Sequence, residues 1–87
     1  MYLHLGNDVL AACTELISII DIEKQMTKET EEIMKQAQDN KTLVMVGKKE
    51  KNKSLVICQE KVYVSPISST TLYKRAMNIN WEDKNDD

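Results

Sequence analysis

The stretch Gly47-Lys48-Lys49-Glu50-Lys51-Asn52-Lys53 places four lysines within six positions. Ammonium groups at that density attract phosphate. Lysine is a point charge without the planar fork of arginine, so it suits backbone phosphates better than base edges. Each phosphate neutralised releases counterions and steepens the salt dependence of binding. The same run also reads as a loop or protruding hairpin tip that charge keeps in water. Lys74 and Arg75 make a second basic pair, which reads either as further phosphate contacts or as cations complementing the end of a helix dipole. The net charge of −2 conceals a partition. Residues 1–40 hold three lysines against eight acids, residues 41–75 hold eight basic groups against Glu50 and Glu60, and residues 76–87 hold Lys84 against four acids. A basic middle within an acidic whole points to a local anion-binding face.

Catalytic chemistry finds little to work with. His4 is the single histidine; strand alternation puts it beside Tyr2 and opposite Leu3 and Leu5, with no Ser, Cys or carboxylate at a spacing that marks a partner. Cys13 and Cys58 are the two cysteines. Both sit in apolar runs without cationic neighbours, so they read as buried free thiols, with one disulfide between them as the alternative. One His and no CxxC pair argue against zinc or another metal. Gly6 and Gly47 are the only glycines, which excludes a glycine-rich phosphate loop. The expectation is no enzyme, no cofactor and no small-molecule ligand.

The elements that must position the basic loop follow from patterning. Tyr2–Leu5 and Val9–Cys13 flank a Gly-Asn-Asp turn and read as a hairpin. Leu16–Ile20 is a third strand, apolar nearly throughout, expected to be central or covered on both faces. Thr27 caps a helix with Glu29, Glu31 and Glu32 at its start, an apolar stripe of Met26, Thr30, Ile33 and Ala37, and a stop at Asn40. Strands follow over Thr42–Val46, Ser54–Cys58 and Val62–Val64. Pro66 cannot donate to a ladder, so the last strand ends near Ser65. One of Ser68, Ser69, Thr70 and Thr71 then caps a second helix, on which Leu72, Ala76 and Ile79 form an apolar face widened by Tyr73 and Met77. The order is β-β-β-α-β-β-β-α, with tight turns that favour antiparallel pairing, hence an α+β fold. It occupies residues 1–80 as one domain, followed by an acidic, disordered tail over 81–87.

A chain of 87 residues buries only roughly 60 to 65% of its unfolded surface, so assembly with identical copies is the expected source of further stability. No apolar run approaches the roughly 18 residues of a spanning helix, and the start MYLHLGND lacks the pattern of an export signal. With free thiols, this predicts a cytoplasmic protein with no membrane contact.

MYLHLGND, ELISIID and YVSPISSTTLYKRA together resemble the RemA/RemB family of extracellular matrix regulators of Gram-positive bacteria, over residues 1 to about 80. The resemblance implies a small DNA-binding regulator of biofilm-matrix transcription. It also implies a homo-oligomeric ring whose outer basic residues hold the DNA backbone in many copies. The arginine-rich turn that follows a glycine in the RemA branch corresponds here to Gly47–Lys53. The DNA contacts so implied are Lys48, Lys49, Lys51 and Lys53; Lys74 and Arg75 are expected as secondary contacts if they face the same way. Two departures stand out. Glu50 interrupts the lysines, and Glu15 stands where the RemA branch carries an arginine. These acids leave open a different protein, one that assembles without DNA affinity of its own and modulates another regulator.

Overall fold

The computed structural model describes residues 1–85, with side chains described through Met77. The elements come in the expected order: β1 (Tyr2–Gly6), β2 (Val9–Ala12), β3 (Leu16–Asp21), α1 (Lys28–Asp39), β4 (Leu43–Met45), β5 (Ser54–Cys58), β6 (Val62–Ser65) and α2 (Ser69–Asn85). Two short 3-10 turns intervene, at Cys13–Glu15 and Lys49–Lys51. Asp86, Asp87 and the side chains from Asn78 onward lie outside the described residues, and the expectation of an apolar Ile79 falls there; of the tail expected to be disordered over 81–87, the backbone continues α2 as far as Asn85 and the rest lies outside.

The strands form two sheets. β1 and β2 make an antiparallel hairpin, and β3-β5-β6-β4 make a four-stranded sheet in that order. β5 pairs antiparallel with both β3 and β6, while β4 runs parallel to β6. The architecture is therefore α+β with mostly antiparallel strands and no closed barrel. The hairpin turn carries three successive positive φ values, at Gly6 (110°), Asn7 (46°) and Asp8 (64°). That run suits Gly-Asn-Asp and no β-branched residue.

Each face of the main sheet has its own core. On one face Ile19, Val46, Val56 and Cys58 pack with Leu3, Leu5 and Ala11 of the hairpin and Leu72 of α2. On the other, Ile22, Leu55 and Val64 are covered by Ile33 and Met34 of α1. Strand alternation explains the division, since neighbouring residues of β5 point to opposite faces. Of the two alternatives expected for β3, central or covered on both faces, the second holds, since β3 is an edge strand. The 3-10 turn at Cys13–Glu15 folds the hairpin into a sheet of its own, so β3 keeps a single strand neighbour. Its apolar run is explained by coverage on both faces, Leu16 and Ile19 facing the hairpin side and Ile20 the α1 side. Ile17 is left 63% exposed at an irregularity in the pairing with β5.

Both helices start where a hydroxyl can accept a backbone N–H. The Thr27 side chain accepts from the Thr30 N–H (3.2 Å), and α1 ends at Asn40. Thr30 and Ala37 are its buried residues; Met26, expected in the stripe, precedes the cap and is exposed. For α2 the cap is Ser68, whose Oγ accepts from the Thr71 N–H at 3.2 Å. Leu72 is fully buried and Ala76 half-buried, whereas Tyr73 and Met77 are exposed. Leu72 and Ala76 thus carry the core-facing side of α2. Tyr73 instead sends its hydroxyl to the Ile19 carbonyl of β3 (2.8 Å).

Candidate anion-binding face

The lysine loop connects β4 to β5. Because β4 lies beyond β6 and runs parallel to it, this connection must cross the end of β6 to reach β5. It is a crossing loop, not a hairpin tip. The crossing point explains the Val-Ser-Pro-Ile junction. Pro66, just past β6, stacks against the backbone of both Gly47 and Gly6. A Cβ on Gly47 would stand 2.8 Å from Pro66 Cγ, and one on Gly6 would stand 3.2 Å from it. Gly6 also needs its positive φ; Gly47 does not, so at Gly47 the requirement is close approach alone.

Short hydrogen bonds fasten the same place. Ser65 and Ser54 are completely buried. Ser65 Oγ donates to the Leu5 carbonyl (2.7 Å) and accepts from the Ile67 N–H (3.0 Å). Ser54 Oγ donates to the Ile67 carbonyl (2.7 Å), and Asn7 Nδ2 donates to the Val46 carbonyl (2.7 Å). A buried hydroxyl left unpaired is costly, so these four bonds specify how hairpin, sheet and α2 meet.

The loop leaves that node with both ends held. Val46 N–H donates to Val64 O at 2.9 Å, and Lys53 N–H donates to Ser65 O at 2.9 Å. The Lys53 carbonyl accepts from Ile22 N–H at 3.1 Å. Between these anchors, Lys51 N–H donates to Lys48 O (2.9 Å) and closes the 3-10 turn. Residues three apart eclipse in such a turn, which puts Lys48 and Lys51 on one side and Lys49 on another. Lys48, Lys49 and Lys51 are exposed, as is Glu50 between them, whereas Lys53 is half-buried at the sheet. Lys49 borders a groove of about 730 Å3 against α1, shared with Lys28, Lys35, Glu31 and Glu32.

The second basic pair is placed apart from this turn by its own contacts. Lys74 is exposed on α2. Arg75 is half-buried, with Nη1 donating to the His4 carbonyl (3.1 Å). α2 therefore reaches two strand edges, Tyr73 to β3 and Arg75 to β1.

The groups considered for catalysis are dispersed. His4 is exposed on the outer side of the hairpin. Cys13 and Cys58 are both free, Cys13 half-buried in its 3-10 turn and Cys58 buried at the end of β5. Burial first, then the nearby Glu15 carboxylate and Cys13, push the Cys58 thiol up, away from the nucleophilic thiolate. Tyr63 is pushed up as well, by burial first and then by Cys58 and Glu15. Among the described residues no group of three or more His, Cys, Asp or Glu could hold a metal ion. No helix among them is long and apolar enough to cross a membrane.

Sequence reasoning overlooked the part of α1 that borders the loop. Lys28, Glu31, Glu32 and Lys35 fall at i, i+3, i+4 and i+7, one stripe of a helix. That spacing was available as a signal, but nothing local says that the stripe borders the same groove as Lys49.

Comparison with known proteins gives the family of the chain. Residues 2–76 match the family model RemA-like, described as extracellular matrix regulatory protein A-like. Extracellular matrix regulatory protein B of Bacillus subtilis (strain 168) is 37% identical over 76 residues, covering 87% of this chain and 90% of that protein. The junction, the crossing glycine and the basic turn all fall within the matched span, and the chain belongs to the RemA-like family of extracellular matrix regulatory proteins.

Proposed function

We propose that this protein is a cytoplasmic DNA-binding regulator of extracellular-matrix genes that acts as a homo-oligomer, with Lys48, Lys49 and Lys51 as its principal contacts to backbone phosphate. The observation that carries the reading is the anchored turn. Three exposed ammonium groups project from a short loop whose two ends are tied into one sheet. A loop already ordered loses little entropy on binding, so its charges are available at low cost. Membership of a family named for matrix regulation supplies the biological direction. Exposed Ile17, Met45 and Met77 supply apolar surface that identical copies could cover. One copy of so small a cationic turn binds weakly. Several on one particle gain by effective concentration, provided the geometry lets them engage together.

Lys53 is a lesser contact, because its backbone is committed to the sheet and its side chain is half-buried. Lys74 and Arg75 would be secondary contacts only if they faced the same way as the turn, and the Arg75 guanidinium is already engaged on the His4 carbonyl. The test is a gel-shift series across salt concentrations with Lys48, Lys49 and Lys51 replaced by Ala. If each neutralises one phosphate, the slope of log K against log salt flattens by about 2.7 per engaged copy. Unchanged affinity and slope would reject the loop as the contact.

Glu50, exposed in the middle of the turn, favours a second reading. In it the protein assembles but has no DNA affinity of its own and modulates another regulator. An assembled particle that fails to shift duplex DNA at low salt would select that reading.

A further inference from the structure

We infer that copies of this chain join head to tail by strand pairing, the free edge of β4 in one copy adding to the free edge of β2 in the next. This rests on the proposed homo-oligomer and names the surfaces that would build it.

The two sheets end in four strand edges: β3 and β4 bound the main sheet, β1 and β2 the hairpin. α2 places a side chain on two of them, the Tyr73 hydroxyl on the Ile19 carbonyl of β3 and Arg75 Nη1 on the His4 carbonyl of β1. The other two edges are open. Val62 N–H donates to Thr42 O and Val46 N–H to Val64 O, so Thr42, Val44 and Val46 turn toward β6. Alternation then turns the N–H and C=O of Leu43 and Met45 outward. Cys13 N–H donates to Met1 O, which makes Leu3 and Ala11 an inward pair and turns the backbone groups of Leu10 and the N–H of Ala12 outward. The Ala12 carbonyl stands at the N-cap of the 3-10 turn and accepts its first bond. Among the described residues no hydrogen bond reaches these outward groups.

The two edges fit each other. Each presents outward residues two apart in the chain. Set antiparallel, with Met45 opposite Leu10 and Leu43 opposite Ala12, they form three main-chain hydrogen bonds: two exchanged between Met45 and Leu10, and one from the Ala12 N–H to the Leu43 carbonyl. The same register brings together the side chains of Met45 and Leu10, which are 44% and 54% exposed. Charge favours unlike edges over like ones. β4 lies between Lys41 and Lys48, and β2 lies between Asp8 and Glu15, all four exposed. Two β4 edges paired antiparallel would set Lys41 of one copy toward Lys48 of the other, the guard that lysines commonly provide on a strand edge. Two β2 edges would set acid toward acid. β4 on β2 sets cations toward acids at both ends, which steers the unlike edges together. Because the two surfaces differ, each added copy presents a fresh edge to the next.

Proline at an outward position removes a donor from the edge and none from the ladder within the chain. Met45→Pro therefore blocks β4, and Leu10→Pro blocks β2. Sedimentation equilibrium of the full chain over a range of concentrations measures the mass, with each variant checked for a retained melting transition. The natural protein is expected to exceed the 10.0 kDa of one chain. Each variant alone should associate about tenfold more weakly or worse, for the lost bond and the lost packing beside it. An equimolar mixture of the two should form a dimer and nothing larger, because the intact β4 of one variant meets the intact β2 of the other. Should a proline variant lose its melting transition, Leu10→Lys and Met45→Lys, at exposed side chains, carry the same mixing test. Unchanged assembly by both variants overturns the strand pairing while leaving the homo-oligomer standing. Loss of assembly in the Met45 variant alone overturns it too, since β4 would then pair with something other than β2. A natural protein that stays a single chain at every concentration removes the homo-oligomer itself and this interface with it.

Discussion

Replacing Gly47 with Ala tests the crossing directly. The added methyl carbon would lie 2.8 Å from Pro66 Cγ, 3.0 Å from its Cβ and 3.2 Å from its Cδ. Normal carbon contacts lie at roughly 3.5 to 4.0 Å, so all three are compressed, and the obstacle is a ring rather than the end of a flexible chain. The same Pro66 Cγ also lies close to Gly6, where an added Cβ would stand 3.2 Å from it. Forcing a methyl into such a site costs about 1 to 3 kcal/mol. Removing a glycine from the unfolded ensemble returns about 0.4 to 1 kcal/mol. The net expectation is a loss of about 1 to 2 kcal/mol, which for a domain of this size lowers Tm by about 4 to 15 °C. Urea unfolding at one fixed protein concentration measures it, since assembly would otherwise shift the midpoint. Pro66→Ala removes Cγ and Cδ and leaves only the 3.0 Å contact. In that background Gly47→Ala should therefore cost much less, giving a positive coupling energy in the double-mutant cycle. If Gly47→Ala is neutral in the natural protein, or costs the same with and without Pro66, the close crossing of loop over proline is wrong.

Further outcomes follow from single groups. Ser65→Ala strands the buried Leu5 carbonyl and the Ile67 N–H, two groups now satisfied by one hydroxyl; at about 1 to 3 kcal/mol for each buried group, and less for the partly wet N–H, urea unfolding should register a loss of about 2 to 4 kcal/mol. Tyr73→Phe removes only the bond to the Ile19 carbonyl, which solvent can partly replace, so the same assay should read about 0.5 to 1.5 kcal/mol. Alkaline titration checks Cys58: its thiol is pushed up in the folded state, so the unfolded chain releases that proton first. The stability contribution is full below about pH 9 and is lost as pH rises through the higher folded value. Tyr63 adds a loss of the same sign above about pH 10. Melting temperatures should fall over that window, and Cys58→Ala should show a shallower fall.

The features legible in the sequence were those whose causes are local. Thr27 and Ser68 announce helix starts because a cap binds an N–H only three residues away. Pro66 announces the end of β6 because a ring nitrogen has no proton to donate. The features that escaped depend on partners far along the chain. An apolar run such as Leu16–Ile20 suits a central strand or an edge strand covered on both faces, and only the detached hairpin decides between them. That the basic run crosses a strand end follows from the parallel pairing of β4 with β6. A hairpin tip would have had the same composition. Among the candidate contacts, the four lysines were visible as charge, but the backbone commitment of Lys53 and the bond from Arg75 to a carbonyl 71 residues away were not.

That last bond, taken with Tyr73, bears on how copies can meet. Ile22 N–H donates to Lys53 O, so alternation along β3 turns the N–H and C=O of Ile19 away from β5. Cys13 N–H donates to Met1 O, and the same alternation turns those of His4 away from β2. Tyr73 and Arg75 each end on one of these outward carbonyls. An unpaired strand edge invites another strand, and α2 occupies both edges at these points. Copies that associate on this side would therefore meet through side chains such as Ile17 and Met77, which are 63% and 70% exposed, and less readily by extending the sheet.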